Sequence, residues 1–319
     1  MENKTNLLVK VSNMYYDENL TQSEIAKALY ISRSKVSRLI QEARECGIVE
    51  IIIHGPNERN TYLEEQLKDR FGLKDVRVLL GCNIQFDQML SGLGTLANEY
   101  VDSLLKPNTI VGISRGKTMK SVINAISPSR KIPITVVQLV GSTRSNDPSI
   151  EGTEIARQFA NAYGGTYYYL FTPLFLEDEN AREVLMKTGA VAETLALSER
   201  ADMILTGLGF LSQDDLSLLW NGFLEQEEIF NLRSKGAIGH ICGYYYDLNG
   251  QIIDTKIHKS IIGLDINKII HKEYVIGVAG GPSKIKSILG ALRGQLINVL
   301  ITDEKTALNI ITMDAYGSI

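Results

Sequence analysis

Val275-Ile-Gly-Val-Ala-Gly-Gly-Pro-Ser-Lys284 decides the reading of this chain. A run of apolar, partly β-branched residues ends in two glycines. Ile285, Ile288, Leu289 and Leu292 then recur at i, i+3, i+4 and i+7, the spacing of one helix face. Pro282 suits the first helical turn, where a missing N–H is no loss. The stretch therefore reads strand, glycine turn, helix. The N-terminus of such a helix offers unbonded N–H groups and the positive end of the helix dipole. Lys284 stands in that first turn, so the turn is a candidate anion cradle. The competing reading is a glycine turn that only tightens strand–helix packing.

Outward from this stretch, short apolar runs alternate with helical periodicity. The runs are Val76–Leu80, Thr109–Ile113, Ile134–Leu139, Thr166–Phe171, Met203–Leu205, Tyr274–Ala279 and Ile297–Ile301. Helical spacing fills Leu90–Leu105, Thr118–Ile126 and Glu151–Tyr163. Runs that are apolar throughout are the mark of buried parallel strands. The expected fold is α/β, a Rossmann-like parallel sheet with helices on both faces. Ligands in such sheets bind at the carboxyl ends of the strands, so the residues after each run carry the functional reading.

Val111-Gly-Ile-Ser-Arg-Gly-Lys-Thr118 follows one run. Gly112 and Gly116 let the backbone turn, Ser114 and Thr118 offer hydroxyls, and Arg115 and Lys117 offer charge. The G-x-x-x-x-G-K-[ST] spacing of a P-loop is absent. Gln138 precedes Leu139-Val-Gly-Ser142 and either bonds a sugar hydroxyl or satisfies backbone. Thr206-Gly-Leu-Gly209 brings Gly207 and Gly209 to a third strand end. Asp265 either accepts from sugar hydroxyls or caps the helix Ile266–Ile270. Gly281 and Lys284 complete the set. No G-x-G-x-x-G follows the first strand, so a dinucleotide site is not expected. Several N–H donors, hydroxyls and a lysine suit a small phosphorylated sugar or polyol.

The first fifty residues read differently. Thr21-Gln22-Ser23-Glu24 is a capping box. Its helix carries Ile25, Ala26 and Leu29; a turn follows at Tyr30–Ser32. A second helix capped by Ser32 has Val36, Leu39, Ile40 and Ala43 on its apolar face, and Gly47 ends it. Ile48–His54 reads as a short strand. This is a helix-turn-helix with a wing. The open front of the second helix holds Arg33, Ser34, Lys35, Ser37 and Arg38, with no acid before Glu42. Arginine there can reach a guanine edge, while Gln22, Ser23 and Lys27 can hold phosphate. The competing reading is a solvated basic helix in an ordinary hairpin. Gly55-Pro56-Asn57 and the helical spacing of Leu63, Leu67 and Phe71 read as a linker and connecting helix. That helix either packs subunits together or caps the next domain.

Composition bounds these readings. The chain has 319 residues, 44% hydrophobic and 22% charged, which describes a globular protein. Net charge is −4 and gives no general attraction to nucleic acid. Residues 1–54 hold seven Lys/Arg and seven Asp/Glu, so only local placement nominates a DNA-binding face. Cys46, Cys82 and Cys242 have no metal or disulfide spacing and are expected to be reduced, buried thiols in a cytoplasmic protein. No signal peptide and no membrane span is expected.

Taken together, the helix-turn-helix, Gly-Ile-Ser-Arg-Gly-Lys-Thr, Gln-Leu-Val-Gly-Ser, Thr-Gly-Leu-Gly, Val-Ala-Gly-Gly-Pro-Ser-Lys and the tail Ala291–Ala307 resemble the SorC (SorC/DeoR) family of bacterial sugar-responsive transcriptional regulators. The resemblance covers nearly the whole chain. It implies a winged helix-turn-helix at 1–54, a linker and connecting helix at 55–71, and an effector and oligomerisation domain at 72–319. It implies that this domain is of the ribose-phosphate isomerase/glucosamine-phosphate deaminase type and binds phosphosugars without turnover. It further implies dimers or tetramers on double-stranded operator DNA, with no metal or other cofactor. The loop Gly112, Ser114, Gly116, Thr118 and the late Lys284 match the family's phosphosugar site. Two positions depart from it: Arg115 replaces a bulky aromatic, and His240 replaces an acid, which would make binding pH-sensitive unless the imidazole is held by backbone. The alternative function is a sugar-phosphate isomerase or deaminase with an added DNA-binding head. In that reading an acid or histidine should follow Gly209 closely, whereas Asp214-Asp215 read as a helix start.

Overall fold

The computed structural model describes residues 2–18, 20–49, 59–81, 85–128, 130–143, 147–211 and 226–316. They fall into two units, Met1–Pro56 and Asn57–Ile319.

The first unit holds α1 (Glu2–Tyr16), α2 (Gln22–Ala28) and α3 (Arg33–Glu45). The capping box forms as read: the Thr21 N–H donates to Glu24 Oε2 at 2.8 Å, and the Glu24 N–H to Thr21 Oγ1 at 3.3 Å. The Lys35 N–H donates to Ser32 Oγ at 3.3 Å and starts α3. Val36, Leu39, Ile40 and Ala43 close on Ile25 and Ala26. Leu8 and Val11 of α1 complete this core. The sequence reading missed α1, although Leu8, Val11 and Tyr15 already stand at i, i+3 and i+7. Ile48 and Val49 form no strand; both N–H groups bond back to the Ala43 carbonyl, at 2.8 and 3.1 Å. The rest of the expected wing, 50–54, and the Gly55–Asn57 breaker lie outside the described residues.

The second unit is built on seven strands: β1 (Asp75–Leu79), β2 (Ile110–Ile113), β3 (Thr135–Gln138), β4 (Thr166–Tyr168), β5 (Met203–Gly207), and two late ones, Tyr274–Val278 and Val299–Asp303. All seven expected runs are strands, and every pairing between them is parallel. From edge to edge the order is β1, Val299–Asp303, Tyr274–Val278, β5, β2, β3, β4.

Alternation explains why the runs are apolar throughout. Ile204, Val275 and Leu300 face one core; Met203, Leu205, Ile276, Val299 and Ile301 face the other. The second face is covered by α5 (Phe86–Leu104), α6 (Lys117–Asn124) and α7 (Gly152–Tyr163). The first is covered by α4 (Thr61–Phe71) and the helices Ile285–Arg293 and Glu304–Tyr316. Leu63 and Leu67 of α4 are buried there, and Asn60 at its N-cap donates to Glu304 at 2.7 Å. The expected connecting helix thus caps the sheet domain.

A small antiparallel sheet of Gly209–Phe210, Gly239–Ile241 and Tyr244–Tyr246 was not read from the sequence. Its strands have two or three residues, too short for a periodicity signal, and Tyr244, Tyr245 and Tyr246 are all buried.

Candidate effector site and nucleic-acid interface

Strand order locates a crevice. From β2 the chain winds outward through β3 to β4, then returns to β5 on the other side of β2 and winds to Val299–Asp303. The winding reverses between β2 and β5, and ligands of open α/β sheets bind at that reversal. The loops after Tyr274–Val278, β5, β2 and β3 are consecutive neighbours around it. These are the four glycine-bearing strand ends of the sequence.

Local geometry assigns work to each residue. Gly116 has φ +119°, a left-handed value that a side chain rarely adopts, and it is the N-cap of α6. No side chain caps that helix, so its first N–H groups face the crevice end. Ser114 is buried; its hydroxyl accepts from the Gly207 N–H at 3.4 Å, tying the β2 loop to the β5 loop. A Cβ on Gly207 would meet Thr118 at 3.8 Å, so these two line the same gap. Lys284 reaches over from Pro282–Lys284, donates to the Leu208 carbonyl, and has its ammonium 5.5 Å from the Phe210 ring centre. Ser114, Gly116, Thr118, Gly207 and Lys284 are therefore brought together.

The remaining residues have other occupations. Gly112 lies inside β2; a Cβ there would stand 2.6 Å from Leu139 and 2.7 Å from Ile204, so it serves sheet packing. Gln138 is 2% exposed; it donates to the Val140 carbonyl at 2.8 Å and accepts from the Leu170 N–H at 3.2 Å. Backbone thus holds Gln138, the second of its two expected uses. Asp265 accepts from the Asn267 N–H at 2.8 Å as the N-cap of Ile266–Ile270, and it lines a separate hollow with Tyr244 and His258. Gly281, φ +94°, donates to Asp303 at 2.9 Å and lines a neighbouring cleft of about 330 Å³ with Phe86 and Met89. Gly209 approaches His240 so closely that a Cβ would fall 1.9 Å from Nε2.

Arg115 is not a free cation. Its Nη2 donates to Glu151 Oε1 at 2.5 Å, and both side chains are nearly buried. The sequence reading gave Glu151 no role beyond starting a helix. A lone carboxylate 36 residues from its arginine leaves no local signal.

His240 lies near Lys284 and Arg115. Burial first, then those two positive charges, push its imidazole down to about 3. It stays neutral through the physiological range, so the expected pH-sensitivity near neutrality is not built on it. Burial likewise pushes the Cys242 thiol up to about 11, and its Sγ lies 3.7 Å from Thr206 Oγ1. Cys46, expected buried, is exposed; Cys82 lies outside the described residues.

In the head, Arg33, Ser34, Lys35, Ser37 and Arg38 are all exposed on α3. The three cations make no ion pair among the described residues. Gln22 and Ser23 begin α2, one half-buried and one exposed. Ser32 is engaged as the cap of α3 and lies 3.1 Å from Ser34 Oγ. Tyr30, read from the sequence only as part of the turn between the two helices, has φ +53° and is 96% exposed there. An exposed tyrosine held in a left-handed turn beside a basic helix is a candidate phosphate contact.

Comparison with known proteins bears on both units. Residues 56–312 match the Sugar-bind family of sugar-binding domains, and residues 12–59 match the MarR family. The chain is 31% identical over 316 residues to the sorbitol operon regulator of Klebsiella pneumoniae, covering 96% of this chain and 98% of that one.

The chain belongs to the SorC family of transcriptional regulators.

The crystal structure of that full-length SorC has a TM-score of 0.75 at 30% identity and covers 96% of this chain and 98% of that one. The deoxyribonucleoside regulator of Bacillus subtilis is 31% identical over 304 residues, covering 95% of this chain and 96% of that one. As a SorC-family member the chain is a DNA-binding regulator of sugar metabolism with an α/β sugar-binding domain behind a helix-turn-helix head.

Proposed function

We propose that this regulator's operator affinity is set by a small phosphorylated sugar or polyol held in the crevice between the ends of β2 and β5. The observation that carries the reading is the meeting of Ser114, Gly116, Thr118, Gly207 and Lys284 at the winding reversal. Amide donors at the start of α6 and one lysine suit a phosphate, and hydroxyl side chains suit a polyol. The front of α3 enters the major groove, with Arg33 and Arg38 on base edges and Gln22, Ser23 and Lys35 on phosphate. The protein acts as a homo-oligomer, dimer or tetramer, in the cytoplasm, because paired half-sites require paired heads. Ligand shifts the effector domains between two arrangements that set the spacing of those heads.

On this reading the crevice binds its ligand without turnover, and among the described residues its candidate proton-transfer groups are otherwise engaged. General acid–base work on a sugar phosphate needs a group that titrates near the working pH. His240 is held neutral far below it, and Glu151 is tied to Arg115. The scaffold type we assign, that of the sugar-phosphate isomerases and deaminases, then serves as a receptor.

A thermal-shift screen of the full chain against phosphorylated and free sugars and polyols tests this reading. Ligand at a hundred times its Kd should add about 2.7 kcal/mol of stability. A response confined to phosphorylated compounds, unchanged in composition after overnight incubation, is expected. A response to free polyols alone would remove the phosphate from the proposal, and turnover would restore the enzyme reading.

A further inference from the structure

The parallel sheet ends in two edge strands, β1 and β4, and they are finished differently. The outer side of β1 is covered. The Asn60 N–H donates to the Val78 carbonyl at 2.9 Å, the Val78 N–H donates to Glu64 Oε1 at 2.9 Å, and Arg59 bridges to Leu79. β1 also carries charge, in Asp75 and Arg77, which pair at 2.9 Å. Covering segments and charged side chains keep a sheet edge from pairing with another chain. Among the described residues β4 has neither. From Gln158 to Leu176 the chain carries no charged residue, and Thr166, Tyr167 and Tyr168 are all exposed.

Alternate residues of a parallel strand bond to its neighbour. On β4 the Thr166 N–H donates to the Ile134 carbonyl at 2.9 Å, and beyond it the Leu170 N–H donates to Gln138 at 3.2 Å. Tyr167, one residue out of step with both, turns its N–H and its carbonyl away from β3. Further along the edge closes, because the Tyr169 carbonyl accepts from the Thr194 hydroxyl at 3.1 Å. The open stretch is therefore centred on Tyr167. Aromatic rings surround it: Tyr167, Tyr168 and Phe171 are 38%, 45% and 74% exposed. The Tyr169 ring lies 4.9 Å from Tyr167 and 5.4 Å from Phe171, between ring centres. At about 200 Å² a ring, the three exposed side chains leave about 300 Å² of aromatic surface open on each copy.

We propose that the β4 edge is an interface between two copies of this chain, paired antiparallel about a two-fold axis at Tyr167. The open residue itself selects a second copy as the occupant. In an antiparallel pair, residues directly opposite each other exchange both N–H···O bonds. One residue with an outward N–H and an outward carbonyl is thus matched by the same residue of a second copy, which is the self-complementarity a two-fold interface requires. Charge agrees with this choice. The segment has no charge to repel its copy, and on α7, which packs against β4, Glu154 and Arg157 balance each other at 2.6 Å. The two copies together bring about 600 Å² of aromatic surface, a fitting apolar centre for a standard interface of about 1,600 Å². This inference names a surface for the homo-oligomer reading above and rests on it.

The test is sedimentation velocity of the full chain over a dilution series, for wild-type protein and three variants of the residue that meets its own copy. Tyr167→Pro removes the outward N–H and no bond to β3. Tyr167→Lys and Tyr167→Glu each set like charges opposite one another across the axis. Each variant should weaken association at least tenfold while its far-ultraviolet circular dichroism matches wild type. Mixing the Lys and Glu variants sets unlike charges opposite one another and should recover most of the lost affinity, a rescue that a merely structural tyrosine would not show. Folded variants that associate like wild type, or a mixture that recovers nothing, overturn this surface and leave the oligomer reading standing. If the variants do not fold, wild-type protein decides by amide exchange. The Tyr167 N–H should exchange at least tenfold more slowly in associated than in dissociated protein; equal exchange means that the edge is covered within one chain or stays open, and overturns the proposal. Wild-type protein that sediments as a monomer at every concentration overturns both readings.

Discussion

The front of α3 and the loop after β2 are made from the same materials. Each offers arginine, lysine and serine just at or before the first turn of a helix. On α3 the cations Arg33, Lys35 and Arg38 are exposed and make no ion pair among the described residues. In the loop, Arg115 is bound to Glu151 and Ser114 to Gly207. In the proposed role the first arrangement would meet a large polyanion that arrives with its own counterions, and would gain by staying solvated until they are released. The second holds its groups in place, which in the proposed effector site would lower the entropy lost on binding a small ligand. Identical residue types are therefore left exposed in one place and bonded into fixed geometry in the other.

The sharpest way to break this comparison is to remove the support of one region. Leu39, 6% exposed, carries α3 on a core of only a few side chains. Leu39→Ala should destabilise the head by about 2–5 kcal/mol. Amide exchange should then rise across α2 and α3 while the parallel sheet stays protected. Next in size is Lys284→Met. Loss of a charge-assisted contact of about 1.5–3 kcal/mol should weaken the phosphorylated effector roughly tenfold to a hundredfold, with operator binding of the ligand-free protein unchanged. A Lys284→Met protein that responds normally would place the phosphate elsewhere. Arg38→Ala should do the reverse: operator binding falls by about 1–3 kcal/mol, with effector affinity intact. If Arg38 meets phosphate instead of a base, the loss will be uniform across operator sequences and the salt slope will drop by about 0.9.

A further expected effect is a pH dependence in the stability of the sheet domain. Burial pushes His258 down to about 4, and its Nε2 accepts from the Tyr245 N–H at 2.8 Å. His240 is pushed down further. Both imidazoles are less basic folded than unfolded, where the value is about 6.5. Unfolding therefore takes up protons below pH 6.5, so stability is complete above that pH and falls as the pH drops toward 4. Each histidine contributes at most about 1.4 kcal/mol per pH unit. His258→Gln keeps an acceptor for Tyr245 and should flatten the urea midpoint between pH 6.5 and 4.5.

Much of the fold was legible because its signals are local. The capping box Thr21–Glu24, the cap at Ser32 and the i, i+3, i+4, i+7 face of α3 each involve residues within a few positions of one another. Seven strands showed themselves because a sheet covered on both faces needs apolar residues at consecutive positions. The small sheet escaped because two- and three-residue strands leave no period to detect, and α1 escaped although its spacing was present.

The candidate site divides along the same line. Glycines, hydroxyls and a lysine after strand ends could be nominated from the sequence by itself, since each sits next to the strand that presents it. Only the tertiary structure decided which of them meet. Strand order put the loops of β2 and β5 together at the winding reversal and gave Gln138, Asp265, Gly112 and Gly281 to backbone bonding, capping and packing. It also brought Glu151 to Arg115 across 36 residues. Covalent neighbours share a conformation that periodicity records; partners distant in the chain share only a place in space, and that place is fixed by how the whole sheet is wound.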